Sequence, residues 1–167
     1  MRKLKLYRWI ATGTIAAALS ACGGGGDSAP AAAAATAAAP AVDPAAVTSL
    51  STALNSGLAA LASYAGLQSS AFVDLFASSF LDAGYTKAQL QANLAQDATA
   101  LTVSPDISSF PVISLSDATV SNCDVNNICT LTATLNNKDA DTTSAPFTTQ
   151  VLYSNGKYLL LGDQKSS

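Results

Sequence analysis

Thiols are the most reactive side chains in this sequence. The chain has three cysteines, Cys22, Cys123 and Cys129, and it has no histidine to act as an imidazole base or metal ligand. Five residues separate Cys123 from Cys129, a spacing at which two thiols can close a disulfide or supply two metal ligands. Because structural zinc sites use four cysteine or histidine ligands, two thiols without histidine make a poor zinc site. Cys22 stands apart from this pair, behind a short apolar stretch.

The N-terminal segment has the pattern of an export signal. Four cations in residues 1–8 precede an apolar run over residues 9–21. That run is too short for the ~30 Å hydrocarbon core of a bilayer, so we predict a signal peptide over residues 1–21 and not a transmembrane helix. Export would place Cys123 and Cys129 in an oxidising compartment, where we predict that they form a disulfide.

The residues that end this run, Leu19-Ser20-Ala21-Cys22, resemble the lipobox of bacterial lipoproteins, which is an aliphatic residue, two small residues and a cysteine. The resemblance implies that the Cys22 thiol takes a diacylglyceryl group through a thioether and that a peptidase cleaves before Cys22. Acyl chains such as palmitate would then hold the chain at a membrane, and several acyl chains give stable anchoring.

The segment after Cys22 predicts a tether between the membrane and a folded domain. Residues 22–42 consist almost wholly of Gly, Ala and Pro, so we expect them to be disordered. As a flexible coil, about 20 residues span roughly 25 Å. Gly23 is not the Asp that commonly signals retention in the inner membrane. We therefore predict the outer membrane, with a periplasm-facing or surface-exposed domain over residues 43–167.

The charge balance argues against two kinds of partner, nucleic acid and an anionic lipid surface. Four of the eight Lys and Arg residues lie in residues 1–8, so residues 22–167 carry four Lys against eleven Asp, a formal charge of −7. An acidic surface without Arg argues against nucleic acid as a partner, and against electrostatic adhesion to anionic lipid headgroups. We therefore predict membrane attachment through acyl chains on Cys22.

Three helices are predicted at the start of the domain. Asp43 as N-cap and Pro44 at the first helical position begin a helix that the apolar spacing extends to about residue 65. A second helix is predicted over residues 70–82. Thr86 and Gln89 match a capping box and begin the third helix. The polar residues assigned to the solvent side of the first helix are Thr48, Ser49, Thr52, Asn55, Ser56 and Ser63.

Four strands are predicted after the helices, because the apolar period changes to two. They cover residues 112–120, 128–135, 147–153 and 157–161. Asn155-Gly156, between the last two, is the strongest short-range signal of a hairpin turn. Helices followed by hairpin-connected strands predict an α+β fold, with three N-terminal helices packed on a curved four-stranded antiparallel meander.

Two stretches of the sequence, together with the predicted strands, resemble those of a known superfamily. The sequence FLDAGY at residues 80–85, the four-strand meander and the sequence NGKYLLLGDQ at residues 155–164 resemble small secreted lipoproteins of the nuclear transport factor 2-like, or cystatin-like, superfamily. The resemblance implies a cone in which helices cover the concave face of the sheet and leave a pocket. The chain departs from the usual pattern because no strand is predicted between its second and third helices.

The pocket would be the place for an enzyme. The superfamily resembles ketosteroid isomerase, in which an Asp base and acidic hydrogen-bond donors act on a buried carbonyl. Asp74 lies among apolar residues and is the candidate for an inward-facing carboxylate, but Asp residues on helices are often solvated surface groups or caps. The pocket residues that we expect are Asp74, Phe72, Phe76, Phe80 and Tyr85, with Asp82, Asp97 and Tyr64 as further acid–base groups.

Other chemistry is poorly supported. Asn137, Asp139 and Asp141 alternate like the start of a calcium loop, but Thr142 replaces the required Gly and no Glu exists to close the site. We therefore interpret this stretch as a polar loop. No His is present to activate a Ser, and the Gly run at residues 23–26 precedes no helix that could bind phosphate. The sequence predicts neither a metal nor a cofactor.

These patterns predict a lipid-anchored accessory or binding protein that is not an enzyme. Its partner would be another protein or a small apolar ligand in the cone. The alternative is a small pocket enzyme of isomerase or dehydratase type that uses Asp and Tyr. The observation that separates them is whether the cone is open or packed shut by Phe72, Phe76 and Phe80.

Overall fold

A computed structural model describes residues 39–103, 113–137 and 144–166, in which helices precede strands. The helices are α1 (Pro44–Ala60), α2 (Tyr64–Gln68), α3 (Ser70–Val73) and α4 (Lys87–Val103). The strands are β1 (Leu81–Asp82), β2 (Tyr85–Thr86), β3 (Ile113–Ser121), β4 (Ile128–Asn137), β5 (Ser144–Ser154) and β6 (Lys157–Leu160). The helices pack on a curved antiparallel sheet, so the predicted α+β fold is confirmed.

The N-terminus of α1 is capped as the sequence predicts. The Asp43 carboxylate accepts hydrogen bonds from the backbone N–H groups of Ala45 and Ala46 at 2.9 and 3.2 Å. Pro44 occupies the first turn, where a missing N–H costs nothing. One side of α1 is buried in the core through Ala46, Leu50, Leu54 and Gly57.

The predicted end of the first helix was wrong by five residues. The helix stops at Ala60, and the Ser63 hydroxyl accepts a bond from the Gly66 N–H at 3.0 Å to begin α2. Gly66 lies so close to α1 that a Cβ on it would be 1.8 Å from the Ala60 carbonyl oxygen. This glycine therefore permits a tight turn between two helices and does not end one long helix.

The second predicted helix, over residues 70–82, was also wrong in length. Helix α3 ends at Val73, and the chain then pairs with β6 through an isolated parallel bridge between Phe76 and Leu160. The Leu160 N–H donates to the Leu75 carbonyl, and the Ala77 N–H donates to the Leu160 carbonyl, both at 2.8 Å. These backbone bonds replace those that a continued helix would have made.

A short hairpin that the sequence analysis did not predict follows this bridge. Strands β1 and β2 pair antiparallel around Ala83 and Gly84, whose φ values are 47° and 80°. Two successive residues with positive φ make the mirror-image turn that two-residue hairpins favour. The capping box of α4 then forms as predicted, since the Gln89 amide oxygen accepts from the Thr86 N–H at 2.8 Å and the Gln89 N–H donates to the Thr86 hydroxyl at 3.3 Å.

The main sheet is a meander in the order β3-β4-β5-β6. Asn155 and Gly156 have φ values of 52° and 75° and form the predicted turn between β5 and β6. The β3–β4 register shifts between Ser116 and Thr119, around Asp117 with a φ of 55°. A bulge of this kind bends a strand and increases its twist, which contributes to the curvature of the sheet.

The two faces of the sheet differ in composition. On β4, Cys129, Leu131 and Ala133 are buried in the core beneath the helices, whereas Thr130 and Thr132 point the other way. Alternation with a period of two is what a sheet covered on one face requires. The core therefore lies between the helices and the concave face of the sheet.

Cys123 and Cys129 form the predicted disulfide, with a Cα–Cα distance of 3.9 Å, and it closes the β3–β4 loop. The Asp124 carboxylate accepts the N–H groups of Ile128 at 2.9 Å and Asn126 at 2.8 Å within that loop. These bonds, the one from Ile128 most strongly, lower the pKa of the Asp124 carboxyl. Cys22 lies outside the described residues. No helix of the described part is both long and apolar enough to cross a bilayer.

Asn55 does not lie on a purely solvent-facing side of α1, so its assignment there was wrong. Its amide nitrogen donates to the Leu115 carbonyl at 2.9 Å, and its amide oxygen accepts the Leu115 N–H at 2.7 Å. Leu115 lies on β3, an edge strand whose other side pairs with β4. The Asn55 side chain therefore replaces a neighbouring strand at this point and joins α1 to the sheet edge.

Replacing Asn55 by Leu should lower the free energy of unfolding by about 1–3 kcal/mol, because two half-buried backbone groups of Leu115 lose their partner. Chemical denaturation of the Asn55→Leu variant measures this. The control is Thr52→Leu, at an exposed position on the same helix, with an expected change within about 0.5 kcal/mol. Equal stability of the two variants would show that the bond to the sheet edge contributes nothing.

Candidate functional site

Three phenylalanines fill the concave side of the sheet where a pocket was expected. Phe72, Phe76 and Phe80 are 2 %, 1 % and 4 % exposed. The Phe72 and Phe76 ring centroids are 5.2 Å apart at 70°, and those of Phe76 and Phe80 are 4.9 Å apart at 85°. Both pairs are edge-to-face, the geometry that aromatic quadrupoles favour. The three rings form a continuous packed row, which we call the phenylalanine row.

A small void remains beside this row. Its volume is about 20 Å³, room for about one water molecule. Its lining is entirely apolar: Leu54, Leu58, Phe72, Leu115, Leu135, Phe147 and Leu160. An apolar void gives water no hydrogen-bond partner, and none of these side chains can move a proton. The void therefore has neither the size nor the groups of a catalytic pocket.

Asp74 was predicted to line the pocket, and this orientation was wrong. Asp74 is exposed, and its carboxylate accepts a hydrogen bond from the Ser70 hydroxyl at 2.8 Å, one helical turn earlier. Because α3 ends at Val73, Asp74 follows the helix as its C-cap and does not share the inward direction of Phe72. Tyr64 is also exposed, and its hydroxyl accepts from the Gln68 amide at 2.9 Å.

Tyr85 belongs to a separate polar cluster at the start of α4. Its hydroxyl donates to the Gln89 carbonyl at 3.3 Å and accepts from the Asn93 amide. Burial raises the pKa of the Tyr85 phenol, the bond from Asn93 opposes this, and the charge of Asp97 adds to it. Burial also raises the pKa of the Asp97 carboxyl. This cluster shares no residue with the lining of the void, so it does not complete the predicted pocket.

Asp82 holds the C-terminal segment in place. Its carboxylate accepts the Asp163 N–H at 3.0 Å, and the Asp163 carboxylate accepts the Ala83 N–H at 3.0 Å. Burial raises the pKa of Asp82, the bond from the Asp163 N–H lowers it, and the charge of Asp163 raises it. These contacts tie the β1–β2 hairpin to the chain after β6, which is a structural role.

The face of the sheet that points away from the helices is uncharged along its two central strands. Cross-strand neighbours in the middle of this face are polar, as in the pair Thr132 and Thr148, and Thr119 and Thr132 share a hydrogen bond at 2.7 Å. The polar stretch of this outer face consists of Thr130, Thr132, Thr134 and Asn136 on β4 and of Ser144, Thr148 and Gln150 on β5, with Pro146 among them, and the apolar pair Ile128 and Leu152 lies at its disulfide end. The alternation of Thr with apolar residues in the sequence could have identified this surface, which the sequence analysis did not single out.

Two tyrosines join the start of the domain to the β5–β6 hairpin. The Tyr153 hydroxyl donates to the Asp43 carboxylate at 3.2 Å, and the Asp43 N–H donates to the Tyr158 hydroxyl at 3.2 Å. The two rings pack with their centroids 4.8 Å apart. Burial, followed by the bond to Asp43 and its charge, raises the pKa of Tyr153. Asp43 therefore both caps α1 and fixes where the preceding segment meets the domain.

The calcium interpretation rests mostly on residues outside those that the structure describes, namely Asp139, Asp141 and Thr142. Asn137 is described, at the end of β4, and it is buried. Within the described ranges, no group of three or more His, Cys, Asp or Glu side chains could hold a metal ion.

Comparisons with known proteins give a structural likeness only. No family model matches the sequence, and no curated protein does. A protein of unknown function with a cystatin-like fold from Nostoc punctiforme has a TM-score of 0.45 and 19 % identity, over 74 % of this chain and 90 % of its own. A candidate calcium/calmodulin dependent protein kinase II association domain from Xanthomonas campestris has a TM-score of 0.39 and 15 % identity, over 76 % of this chain and 92 % of its own. Both TM-scores are below 0.5, so the assignment of the α+β fold class rests on the helices and curved sheet of this chain itself.

Proposed function

We propose that this chain is a lipid-anchored accessory protein of the outer membrane, facing the periplasm, that binds a partner protein through its outer surface. The observation that carries the proposal is the filled concave side. Ligand pockets have volumes of about 300–1,000 Å³, whereas the void beside the phenylalanine row has about 20 Å³. A small apolar ligand would have to displace buried rings to enter.

The enzyme alternative has less support. An isomerase or dehydratase needs an acid and a base within hydrogen-bond reach of one enclosed substrate. Asp74 and Tyr64 are solvent-exposed, and the cluster of Tyr85 with Asn93 lies at the start of α4, away from the residues that line the void. Tyr85 and Asp97 lie close enough for the Asp97 charge to act on the Tyr85 phenol, but neither residue lines the void, so no acid–base pair is among the residues that surround it.

The outer face of the sheet is the surface best suited to a partner. It presents hydroxyl and amide groups from β4 and β5 without a charged side chain. Hydroxyl and amide groups bind a partner through hydrogen bonds, which are short-range and directional. Charged surfaces, in contrast, attract a partner over a long range. Affinity for this face should therefore depend weakly on salt concentration.

The anchor rests on the export signal, the Leu19-Ser20-Ala21-Cys22 motif and the low-complexity segment that follows. The Cys22→Ser precursor should not be lipidated, because a hydroxyl is a far weaker nucleophile than a thiolate. Labelling cells with a fatty acid, followed by membrane fractionation, measures this. We expect label and outer-membrane recovery for the wild type and neither for Cys22→Ser. Wild-type labelling of the variant would contradict the anchor, and recovery in the inner membrane would contradict the location.

A photocrosslinking amino acid at Thr148, on the outer face, should give one discrete adduct in cells. Adding Thr132→Lys should abolish that adduct, because Thr132 is the direct cross-strand neighbour of Thr148 and a buried unpaired charge is costly. The matched control adds Thr52→Lys, at an exposed position on α1, which should leave the adduct unchanged. An absent adduct, or one that survives Thr132→Lys, would contradict binding through this face.

A further inference from the structure

Three parts of the chain meet at one end of the domain. The β3–β4 loop lies against β5, since the Tyr153 N–H donates to the Asn127 carbonyl at 2.8 Å. The Tyr153 hydroxyl reaches Asp43, and Tyr158 at the start of β6 bonds the Asp43 backbone. We call the end formed by residues 42–43, the β3–β4 loop and the β5–β6 turn the tether end, because the predicted tether joins the domain there.

Exposed apolar side chains concentrate at the tether end. In the described part of the chain, three large hydrophobic residues are exposed: Val42 at 38 %, Tyr64 at 43 % and Val125 at 55 %. Val42 precedes Asp43 directly, and Val125 lies in the disulfide loop. Tyr64 follows the opposite end of α1, which at 1.5 Å per residue is roughly 25 Å away. Two of these three residues therefore lie at the tether end.

A row of apolar residues lies at the same end of the domain, on the outer face of the sheet. Ile128 on β4 is the register partner of Leu152 on β5, and Leu152 is the partner of Leu159 on β6. All three are only partly buried, whereas Val151 and Leu160 beside them are in the core. Since side chains alternate along a strand, this row faces away from the helices at the same end as the disulfide loop.

The loop that carries Val125 is held in shape before any contact is made. The disulfide closes the loop, and the Asp124 carboxylate accepts the N–H groups of Asn126 and Ile128, which follow Val125 in the chain. A preorganised loop loses little conformational entropy when its tip is buried against another surface. The disulfide and these hydrogen bonds therefore hold Val125 at a fixed position on the surface of the domain.

We infer that the tether end is a membrane-docking surface, on which Val125, Val42 and the Ile128–Leu152–Leu159 row contact the interface of the bilayer that holds the lipidated Cys22. This inference rests on the proposed lipid anchor. If the predicted tether of about 20 residues is a flexible coil, it would keep this end at roughly 25 Å from the anchor on average, so the bilayer would be present at a high effective concentration. Docking orients the domain, with the outer face of the sheet rising from the membrane.

The charges at this end determine which lipid it favours. Lys157 at the β5–β6 turn is exposed, but Asp124 lies next to Val125 and the domain as a whole is acidic. Docking therefore depends on apolar contact, and zwitterionic lipid is favoured over anionic lipid. Contact with an anionic surface should strengthen as salt screens the repulsion.

Tryptophan fluorescence can test this contact directly. The only Trp of the chain is Trp9, within the predicted signal peptide, so an introduced Trp is the single probe in the processed protein. Lipidated Val125→Trp and the control Tyr64→Trp would be reconstituted into phosphatidylcholine vesicles with and without brominated phosphatidylcholine. We expect brominated lipid to lower the Val125→Trp emission at least twofold, with a blue shift, and to leave the Tyr64→Trp emission unchanged.

A second probe, Val42→Trp, covers the case in which Val125→Trp distorts the disulfide loop, and it should be quenched as well. Equal quenching of all three probes, or none at positions 125 and 42, overturns the inference. A blue shift without bromine quenching indicates burial against a second copy of the chain and also overturns it. Flotation with the vesicles is measured in parallel. Loss of flotation overturns the lipid anchor and this inference together, whereas flotation without quenching overturns docking alone.

Discussion

The backbone bridge between residues 75–77 and Leu160 determines what the concave side of the sheet contains. By ending α3 at Val73 it ties Phe76 to β6, so that Phe72, Phe76 and Phe80 stack edge to face beneath the helices. The Lys87 ammonium reinforces this position by donating to the Phe76 carbonyl at 2.7 Å. Had residues 74–80 remained helical, the N–H and the carbonyl of Leu160 would have lost their hydrogen-bond partners at Leu75 and Ala77. The position of the phenylalanine row on the concave side thus depends on a few backbone hydrogen bonds.

Features that depend on neighbours in the sequence were predictable. The caps at Asp43 and Thr86, the Asn155-Gly156 turn and the four strands all follow from local preferences or from the period of apolar residues. The disulfide followed from two cysteines and the expected compartment, and the structure contains it. The predicted lipidation of Cys22 also depends only on neighbouring residues in the sequence. It stays a prediction, because Cys22 lies outside the described residues.

Features that depend on distant partners were not predictable. Residues 74–80 have a helical apolar spacing, but the competing hydrogen bonds come from Leu160, more than 80 positions later. Asn55 has the spacing of a surface residue, yet its amide pairs with the edge of β3, 60 positions away. Asp74 was placed inward because its sequence neighbours are apolar, but its carboxylate accepts a bond from Ser70 at the surface. The errors at residues 74–80 and at Asn55 therefore have the same cause, which is a backbone group satisfied by a partner distant in the sequence.

The central claim is that the described helices and sheet leave no pocket of ligand size on the concave side, which is why we propose that binding takes place on the outer face. Methyl NMR of the domain during titration with benzene tests it most directly, because an apolar cavity of about 150 Å³ binds benzene. The void of about 20 Å³ beside Leu54 and Leu160 does not have that volume. We predict no saturable shift of the Leu54 and Leu160 methyl resonances. Saturable shifts of both, at one common affinity, would show an accessible pocket and contradict the account.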